Sequence, residues 1–435
     1  MRLLISSRLA LGSGIWLLSA IVLPCSTARA QERETVGTCL TNQPALLRRT
    51  NPDGPWQFVK DKDAIHAGDL LLGGGGPTVV SANGAVALSL TGDLSATSSF
   101  PVIETAVVLH SSKEADLDIS LERGAVAVTN RKESGAAVAR FRFADRSGEI
   151  VLKAPGTKAV VEVYGRWPPG SRFSKTPKPG AGPAMGLAVL IVKGEAELRG
   201  KTKHFMMTAP PGPSLLVAPY LSDDTATPRH LDALPPWAGE TEGEREKTIK
   251  AALVKLREHA TAKSIGEALD EFAASDEVGM RRLAVLLMGA LDDLPRLGQT
   301  LRNTKHLDVW ENGILALRHF LGRGPGQDTK LYKGLTEVAK YPPAEAQIFI
   351  DLLHGFSDEQ LTQPETYELL SDYLHSDRPS IRALAYWHLV RLVPDGKKIA
   401  FNPLAAKEER EAGVKEWSKL VPAGKVPGQS KPGEK

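Results

Sequence analysis

The stretch VLKAPGTKAVVEVYG, residues 151–165, joins two runs of apolar and β-branched residues through a Pro-Gly pair. β-Branched residues are enriched in strands, and Pro-Gly marks a turn. The stretch contains no nucleophile, no metal-ligand pair and no cluster of charges. We therefore expect a strand, a turn and a second strand, with no chemistry carried by this segment.

The pattern of this stretch extends over residues 56–220. In GAVALSL, the side chains of Val86, Leu88 and Leu90 would share one face of a strand, because strand residues alternate between faces. Turn signals recur about every ten residues, as in all-β sandwiches, rolls and solenoids. We predict an all-β domain at 56–220, preceded by a polar, turn-rich segment at 31–55.

Proline and glycine interrupt the β pattern at residues 166–184, RWPPGSRFSKTPKPGAGPA, which predicts a loop inserted into the β domain. Two aromatic and arginine pairs lie there. Because such residues are enriched at interfaces, we consider the following residues a possible partner contact: Arg166, Trp167, Arg172 and Phe173. The alternative is that the aromatic rings close the open end of the β core.

The hydrophobic period changes to that of helices at about residue 244. Ile249 and Leu253, for example, fall on one stripe of a helix. A proline-rich linker at 221–243 separates the two patterns, and we predict an α-helical domain at 244–420. The tail at 421–435 is rich in Pro, Gly and Lys, and we expect it to be disordered.

Three helical segments align without gaps, at 275–291, 307–323 and 376–392. Each carries an Asp eight residues before an Ala, with Leu directly before that Ala. The aligned positions are Asp276, Asp308 and Asp377, then Leu283, Leu315 and Leu384, then Ala284, Ala316 and Ala385. We expect each Asp to cap the first helical turn and each Ala to let a neighbouring helix approach closely.

Repeats of this length are typical of helix-pair solenoids. Residues 342–356 and 365–375 would supply further helices between the second and third copies. The alternative is an irregular helical bundle, because Leu and Ala recur readily in any helix.

The first thirty residues have the pattern of a signal peptide, with Arg2 and Arg8 before an apolar stretch and Ala-Arg-Ala at 28–30. Cleavage there would start the mature chain at Gln31 and place it in the periplasm, the cell envelope or the medium. The alternative is an uncleaved membrane anchor, because the uncharged stretch at 9–28 is about long enough to span a bilayer.

Composition narrows the class of protein further. The net charge is +3 with both signs mixed, and aromatic residues make up 6% of the chain, which argues against a nucleic-acid-binding surface. After cleavage only Cys39 would remain, so the fold would have no intrachain disulfide and would be stabilised by packing.

Residues 57–218 resemble the FecR-like periplasmic domain, a β roll or β-solenoid. The matching landmarks are Gly68-Asp69, Gly124 to Val128, Gly156-Thr157 and Val192 to Leu198. The aligned helical segments resemble HEAT repeats. The combination looks like exported proteins of bacteria such as planctomycetes. The resemblance implies a domain type without the iron-signalling role, since only eight residues precede the apolar run.

No segment predicts catalysis or a cofactor. GGGGP at 73–77 lacks the Lys-Ser/Thr of a phosphate loop, and we expect a hairpin turn. We expect the acids of EADLD at 114–118 to be solvated rather than to bind a metal. His319 and His388 form no metal-ligand spacing, and we expect them in a repeat seam or at the surface.

These patterns favour a non-enzymatic, exported scaffold that binds a protein or envelope component, with no catalytic, cofactor-binding or metal-ligating residue. The alternative is a membrane-anchored envelope sensor that signals to a membrane partner.

Overall fold

The computed structural model describes residues 33–40, 46–94, 104–143, 146–201, 203–219, 226–235, 238 and 243–427. The expected signal segment at 1–30 lies outside the described residues. From Glu34 onward the chain forms one unit, β-rich in its first half and helical in its second. The expected order of a β-rich region followed by a helical region is therefore confirmed.

Most strands of the described residues are short, and two are much longer than the rest. They are β1 (Thr35–Cys39), β2 (Leu46–Arg49), β3 (Gln57–Val59), β4 (Ala64–His66), β5 (Leu70–Gly73), β6 (Thr78–Ser81), β7 (Val86–Thr91), β8 (Thr105–His110), β9 (Leu117–Asn130), β10 (Ala137–Phe143), β11 (Arg146–Leu152), β12 (Lys158–Arg166), β13 (Ala184–Arg199), β14 (His204–Ala209), β15 (Ser214–Pro219) and β16 (Arg229–His230).

The strands form two sheets that share the long strands β9 and β13. One sheet has the order β16-β15-β13-β12-β9-β7-β6-β1-β4. The other has the order β14-β13-β11-β10-β9-β8-β5-β2-β3. All of these pairs are antiparallel except β9 with β10.

A glycine with positive φ lies where each long strand passes from one sheet to the other. Gly124 in β9 has φ +92°, and a Cβ there would lie 2.3 Å from Thr105 Oγ1. Gly194 in β13 has φ +81°, and its Cβ would lie 2.5 Å from Thr157 Oγ1. Only glycine accepts both this backbone conformation and this contact, so the two residues define the bends.

The side chains between the two sheets form the β core. The predicted alternation is confirmed in β7, where Val86, Leu88 and Leu90 are fully buried and the residues between them are partly exposed. The chain enters the sheets earlier than expected, because β1 and β2 lie within 31–55. Strands of five and four residues are too short for a period-two pattern to reveal them.

The glycine run at 73–77 does not close a hairpin, contrary to expectation. β5, before the run, pairs with β2 and β8, whereas β6, after it, pairs with β1 and β7. The run therefore carries the chain from one sheet to the other.

Helices account for most of the region from residue 244 onward. They are α1 (Glu244–His259), α2 (Ile265–Ala273), α3 (Val278–Ala290), α4 (Leu294–Asn303), α5 (Leu307–Gly322), α6 (Gln327–Lys333), α7 (Pro343–His354), α8 (Asp358–Leu361), α9 (Pro364–Tyr373), α10 (Pro379–Leu392) and α11 (Lys407–Leu420). The helices expected at 342–356 and 365–375 are α7 and α9.

The expected capping role of the aligned aspartates is wrong. The residues that cap α3, α5 and α10 are Glu277, His306 and Arg378, and none of them makes a side-chain capping bond. Asp308 instead lies in the first turn of α5, where it accepts two hydrogen bonds of 3.1 Å from Arg281 of α3. Asp308 lies two residues after the N-cap position His306, so its carboxylate is free to pair with the buried arginine of α3.

The aligned alanines are buried, as the close packing of helices requires. A Cβ added at Gly289 of α3 would lie 2.7 Å from Cβ of Ala316 in α5, so these two helices approach closely at small residues.

The first residues of the tail are ordered against the helices, contrary to expectation. Val421 is buried, and Gly424 N–H donates to Glu368 Oε1 of α9 at 2.6 Å. Burial of the Val421 side chain offsets the cost of ordering a Pro/Gly-rich segment. The rest of the tail, from residue 428, lies outside the described residues.

The segment expected to be a linker, residues 221–243, contains a short strand. This strand, β16, pairs with β15.

Candidate functional site

The loop between β12 and β13, residues 167–183, lies against the helices of the same chain. Trp167 Nε1 donates to Leu321 O at 3.0 Å, and its ring stacks on His354 with the centroids 4.4 Å apart. Phe173 is buried and stacks on Tyr332 at 4.7 Å. The partner of these two aromatic residues is thus the helical half, and neither ring closes the end of the β core.

The two arginines of the predicted contact remain at the surface. Arg172 is exposed and forms an ion pair of 3.3 Å with Asp351, which also accepts a 2.7 Å hydrogen bond from Phe173 N–H. Arg166 ends β12, and its guanidinium lies 5.6 Å from the Tyr164 ring centroid. The structure therefore separates the four predicted residues into two aromatic residues that pack on the helices, Phe173 buried and Trp167 partly buried, and two exposed cations.

A buried ionic cluster joins the two halves beside this loop. Arg123 of β9 lies 3.4 Å from Glu104, and Arg323, next to the end of α5, donates to the same carboxylate at 3.2 Å. Arg123 also donates to Ala290 O of α3 at 2.8 Å. Burial alone would raise the pKa of Glu104, but the nearby charges of His319, Arg323 and Arg123 hold it below its usual value.

Backbone contact between two glycines brings the halves closer still. A Cβ on Gly165 of β12 would lie 1.9 Å from Gly322 O of α5, and one on Gly322 would lie 2.1 Å from Gly165 O. The strand and the helix therefore meet at a distance that no side chain permits.

A large groove opens at another part of the same junction. Its volume is about 1280 Å³, above the range of about 300–1,000 Å³ that is usual for small-molecule pockets. One wall consists of Arg49 and residues 52–61, from the end of β2 through β3. The other consists of the α1–α2 connection, the start of α2 and the α3–α4 turn. A groove of this size suits an extended segment of a larger partner.

An arginine stacked on tryptophan forms the centre of the first wall. The Arg49 guanidinium carbon lies 4.7 Å from the Trp56 ring centroid, within cation–π range. Neither Trp56 Nε1 nor Arg49 Nε has a hydrogen-bond partner within the part of the chain that the structure describes. Planar groups of this kind are common at the centre of binding surfaces.

Capping interactions hold the second wall in place. Ser264 Oγ accepts from Glu267 N–H at 3.2 Å, and Glu267 Oε2 accepts from Ser264 N–H at 2.9 Å, which forms a capping box at the start of α2. The backbone hydrogen bond from Ser264 holds the pKa of Glu267 below its usual value. Arg296 then ties α2 to α4, donating to Gly266 O at 3.0 Å and to Asp293 Oδ2 at 2.8 Å.

Charges of both signs line the groove in equal number. The cations are Arg49, Lys60, Arg257, Lys263 and Arg296, and the acids are Asp53, Asp61, Glu258, Asp292 and Asp293. The described lining contains no His or Cys, so it offers no thiolate or imidazole for catalysis. In the described residues, no group of three or more His, Cys, Asp or Glu is placed to hold a metal ion.

Two acids of residues 114–118, Asp116 and Asp118, are held by neighbouring side chains, whereas Glu114 is exposed. Asp118 is buried and accepts two 2.7 Å hydrogen bonds from Arg142. Asp116 accepts from Lys132 and Asn83, each at 2.8 Å. The expectation of a solvated face is wrong for Asp118, because the parallel pairing of β9 and β10 places arginines of β10 beside it.

Of the two histidines singled out, His388 is buried in α10. Its Nε2–H donates to Leu352 O of α7 at 2.7 Å, a seam position between helices. His319 is partly buried, and it lies close enough to Glu104 to lower the pKa of the Glu104 carboxyl group.

Sequence patterns missed the groove residues Arg49 and Trp56. They flank the breaker NPDGP, where no periodic pattern forms. A tryptophan directly after such a turn was the available signal, since an aromatic ring there needs a surface to cover it.

No family model, curated protein or solved structure matches this chain. Across the described ranges, no helix has the length and apolar character needed to cross a membrane.

Proposed function

We propose that this protein is a non-enzymatic binding and scaffolding protein of the periplasm or cell envelope. The groove at the junction of the two halves would hold an extended segment of a protein or another envelope component. The stacked pair of Arg49 and Trp56 is the single observation that carries this proposal, because it places an aromatic cation pair in the wall of a groove large enough for an extended segment.

Two further observations support the proposed domain types. The bends at Gly124 and Gly194 coincide with two landmarks of the resemblance to FecR-like domains. The successive packing of α3, α5, α7 and α10, with Arg281 linking neighbouring segments, supports a HEAT-like solenoid. Solenoids of this kind commonly offer extended surfaces to partner chains.

Site-specific photo-crosslinking tests the proposed site. A photoreactive residue at the exposed position Asp53, inside the groove, should crosslink one envelope partner in intact cells. The same residue at Lys397, exposed and outside the groove, is the matched control. Arg49→Gln should then reduce the Asp53 crosslink roughly tenfold, as expected for the loss of one well-placed charged contact.

Equal crosslinking from Asp53 and Lys397, or a crosslink that Arg49→Gln leaves unchanged, would contradict the proposal.

The second candidate is a membrane-anchored envelope sensor, favoured by the uncharged stretch at 9–28. Mass spectrometry of the native N-terminus distinguishes the two. A chain that starts at Gln31 supports the released scaffold, whereas an intact Met1 supports the anchored sensor.

A further inference from the structure

The groove includes the open edge of a strand. Among the strands that the structure describes, β3 pairs with β2 alone, and all of its residues, Gln57–Val59, line the groove. Successive side chains of a strand point to opposite faces, so a groove that contacts all of them lies along the edge of β3 and not over one face. An edge of this kind presents backbone N–H and C=O groups that a further strand can pair with.

A row of apolar side chains on the helix-facing side of the sheet ends at this edge. Ala106 of β8 lies opposite Leu72 of β5, which in turn lies opposite Leu47 of β2. Leu47 lies opposite Phe58 of β3. The first three side chains are buried in the apolar cluster of the helical half, whereas Phe58 is only partly buried. The next position of this row would fall in the groove.

Apolar side chains of the helical half face the end of the row. Ile265, Leu269 and Leu291 line the groove together with Phe58. Ile265 is partly exposed, and the other two are buried. An apolar side chain that continues the row would therefore be covered by Phe58 on one side and by these residues on the other.

The charges of the groove are compatible with a peptide. Cations and acids line it in equal number, so a polyanion would meet as many acids as cations. A peptide backbone is neutral and supplies the N–H and C=O groups that an open strand edge can pair with.

We propose that the groove binds an extended peptide segment of its partner, which pairs its backbone with β3 as an added strand and places an apolar side chain beside Phe58. This inference rests on the proposed function, because it names the class of segment that the same groove would hold.

Selection of phage-displayed random nonapeptides on the purified protein tests the pairing. We expect the enriched sequences to carry apolar residues at alternate positions, because alternate side chains of a strand share one face. The most enriched peptide is then synthesised with N-methyl groups at its odd or at its even positions. One form should bind roughly tenfold more weakly and the other almost as the unmodified peptide does, because only alternate N–H groups of a strand face its neighbour. Fluorescence polarisation measures both affinities.

A pair of variants tests the apolar wall. Ile265→Ser should weaken binding of the selected peptide about fivefold, because part of the covering surface is lost. Val338→Ser is the matched control, since Val338 is 70% exposed and lies outside the groove, and it should bind the peptide as the unchanged protein does. The two N-methylated peptides are compared on the unchanged protein, so that comparison does not depend on how Ile265→Ser folds.

The outcomes separate this inference from the proposed function. A glycan or lipid crosslinked at Asp53 in cells would keep the groove as a binding site and overturn the peptide pairing. Absence of any crosslink at Asp53 in cells, with the selected peptide bound as expected, would contradict the proposed function and support the pairing.

Three results with the purified protein would overturn the pairing directly. They are a selection that enriches no peptide, equal losses of affinity in the two N-methylated forms, and unchanged binding in Ile265→Ser. A dimer in sedimentation that the selected peptide dissociates would assign the edge to a second copy of this chain, and would likewise overturn the inference of a partner peptide.

Discussion

The buried side chain of His388 makes the stability of the protein depend on pH. Burial lowers its pKa to about 3, although the hydrogen bond to Leu352 O acts in the opposite direction. The ring is therefore neutral in the folded protein and donates from Nε2 to the carbonyl oxygen. In the unfolded chain the same ring has the ordinary pKa of about 6.5.

The sign of the pH dependence follows from this difference. Below pH about 6.5 the unfolded chain binds a proton that the folded protein does not, so the free energy of unfolding falls as pH falls from 6.5 towards 3. The limiting slope is about 1.4 kcal/mol per pH unit for one proton. His388→Gln should reduce this slope, whereas His375→Gln, at an exposed position, should leave it unchanged.

Urea unfolding between pH 4 and pH 7 measures the slope. The same slope in His388→Gln and in the unchanged protein would show that another group governs the acid sensitivity.

At the scale of elements, Arg281 connects two helices and the turn before the first of them. It donates to both oxygens of Asp308 in α5, and to Ser275 O and Asp276 O at 2.8 and 2.9 Å. A buried arginine that loses its carboxylate keeps its desolvation cost without the compensating attraction.

Asp308→Asn should therefore lower the free energy of unfolding by about 3 kcal/mol. Asp276→Asn is the control from the aligned position of the neighbouring segment, where the side chain is exposed, and should change stability by less than about 0.5 kcal/mol. Chemical denaturation of both variants makes the comparison. An equal loss of stability in the two variants would indicate that both aspartates act by capping, as the alignment suggested.

The elements also show what local patterns can predict. The alternation in β7 and the helical stripe of α1 follow from periodicity, because each element is long enough to repeat its pattern. β1 and β2 were missed because they are too short to repeat a pattern. The role of Asp308 was missed because its partner lies 27 residues away.

At the scale of the whole molecule, the relation between the halves could not be read from the sequence. Phe173 and Trp167 stood out as interface residues, but their partners, Tyr332 and His354, lie far along the chain. The groove depends on the same docking, since each half supplies one wall. A periodic pattern describes each half alone and contains nothing about the surface between them.

The central claim is that the two halves form one cooperative unit, which keeps the groove in place. Gly322→Ala should weaken that unit by about 1–3 kcal/mol, because its Cβ would collide with the backbone of Gly165. Gly324→Ala, where a Cβ meets no atom within 4 Å, is the control.

Hydrogen exchange with mass spectrometry across a urea series tests this claim most directly, because it follows β9 and α5 separately in one sample. The two elements should lose protection at the same urea concentration. Gly322→Ala should lower both midpoints together, and Gly324→Ala should lower neither. Separate midpoints for β9 and α5, or a loss confined to α5 in Gly322→Ala, would contradict the account.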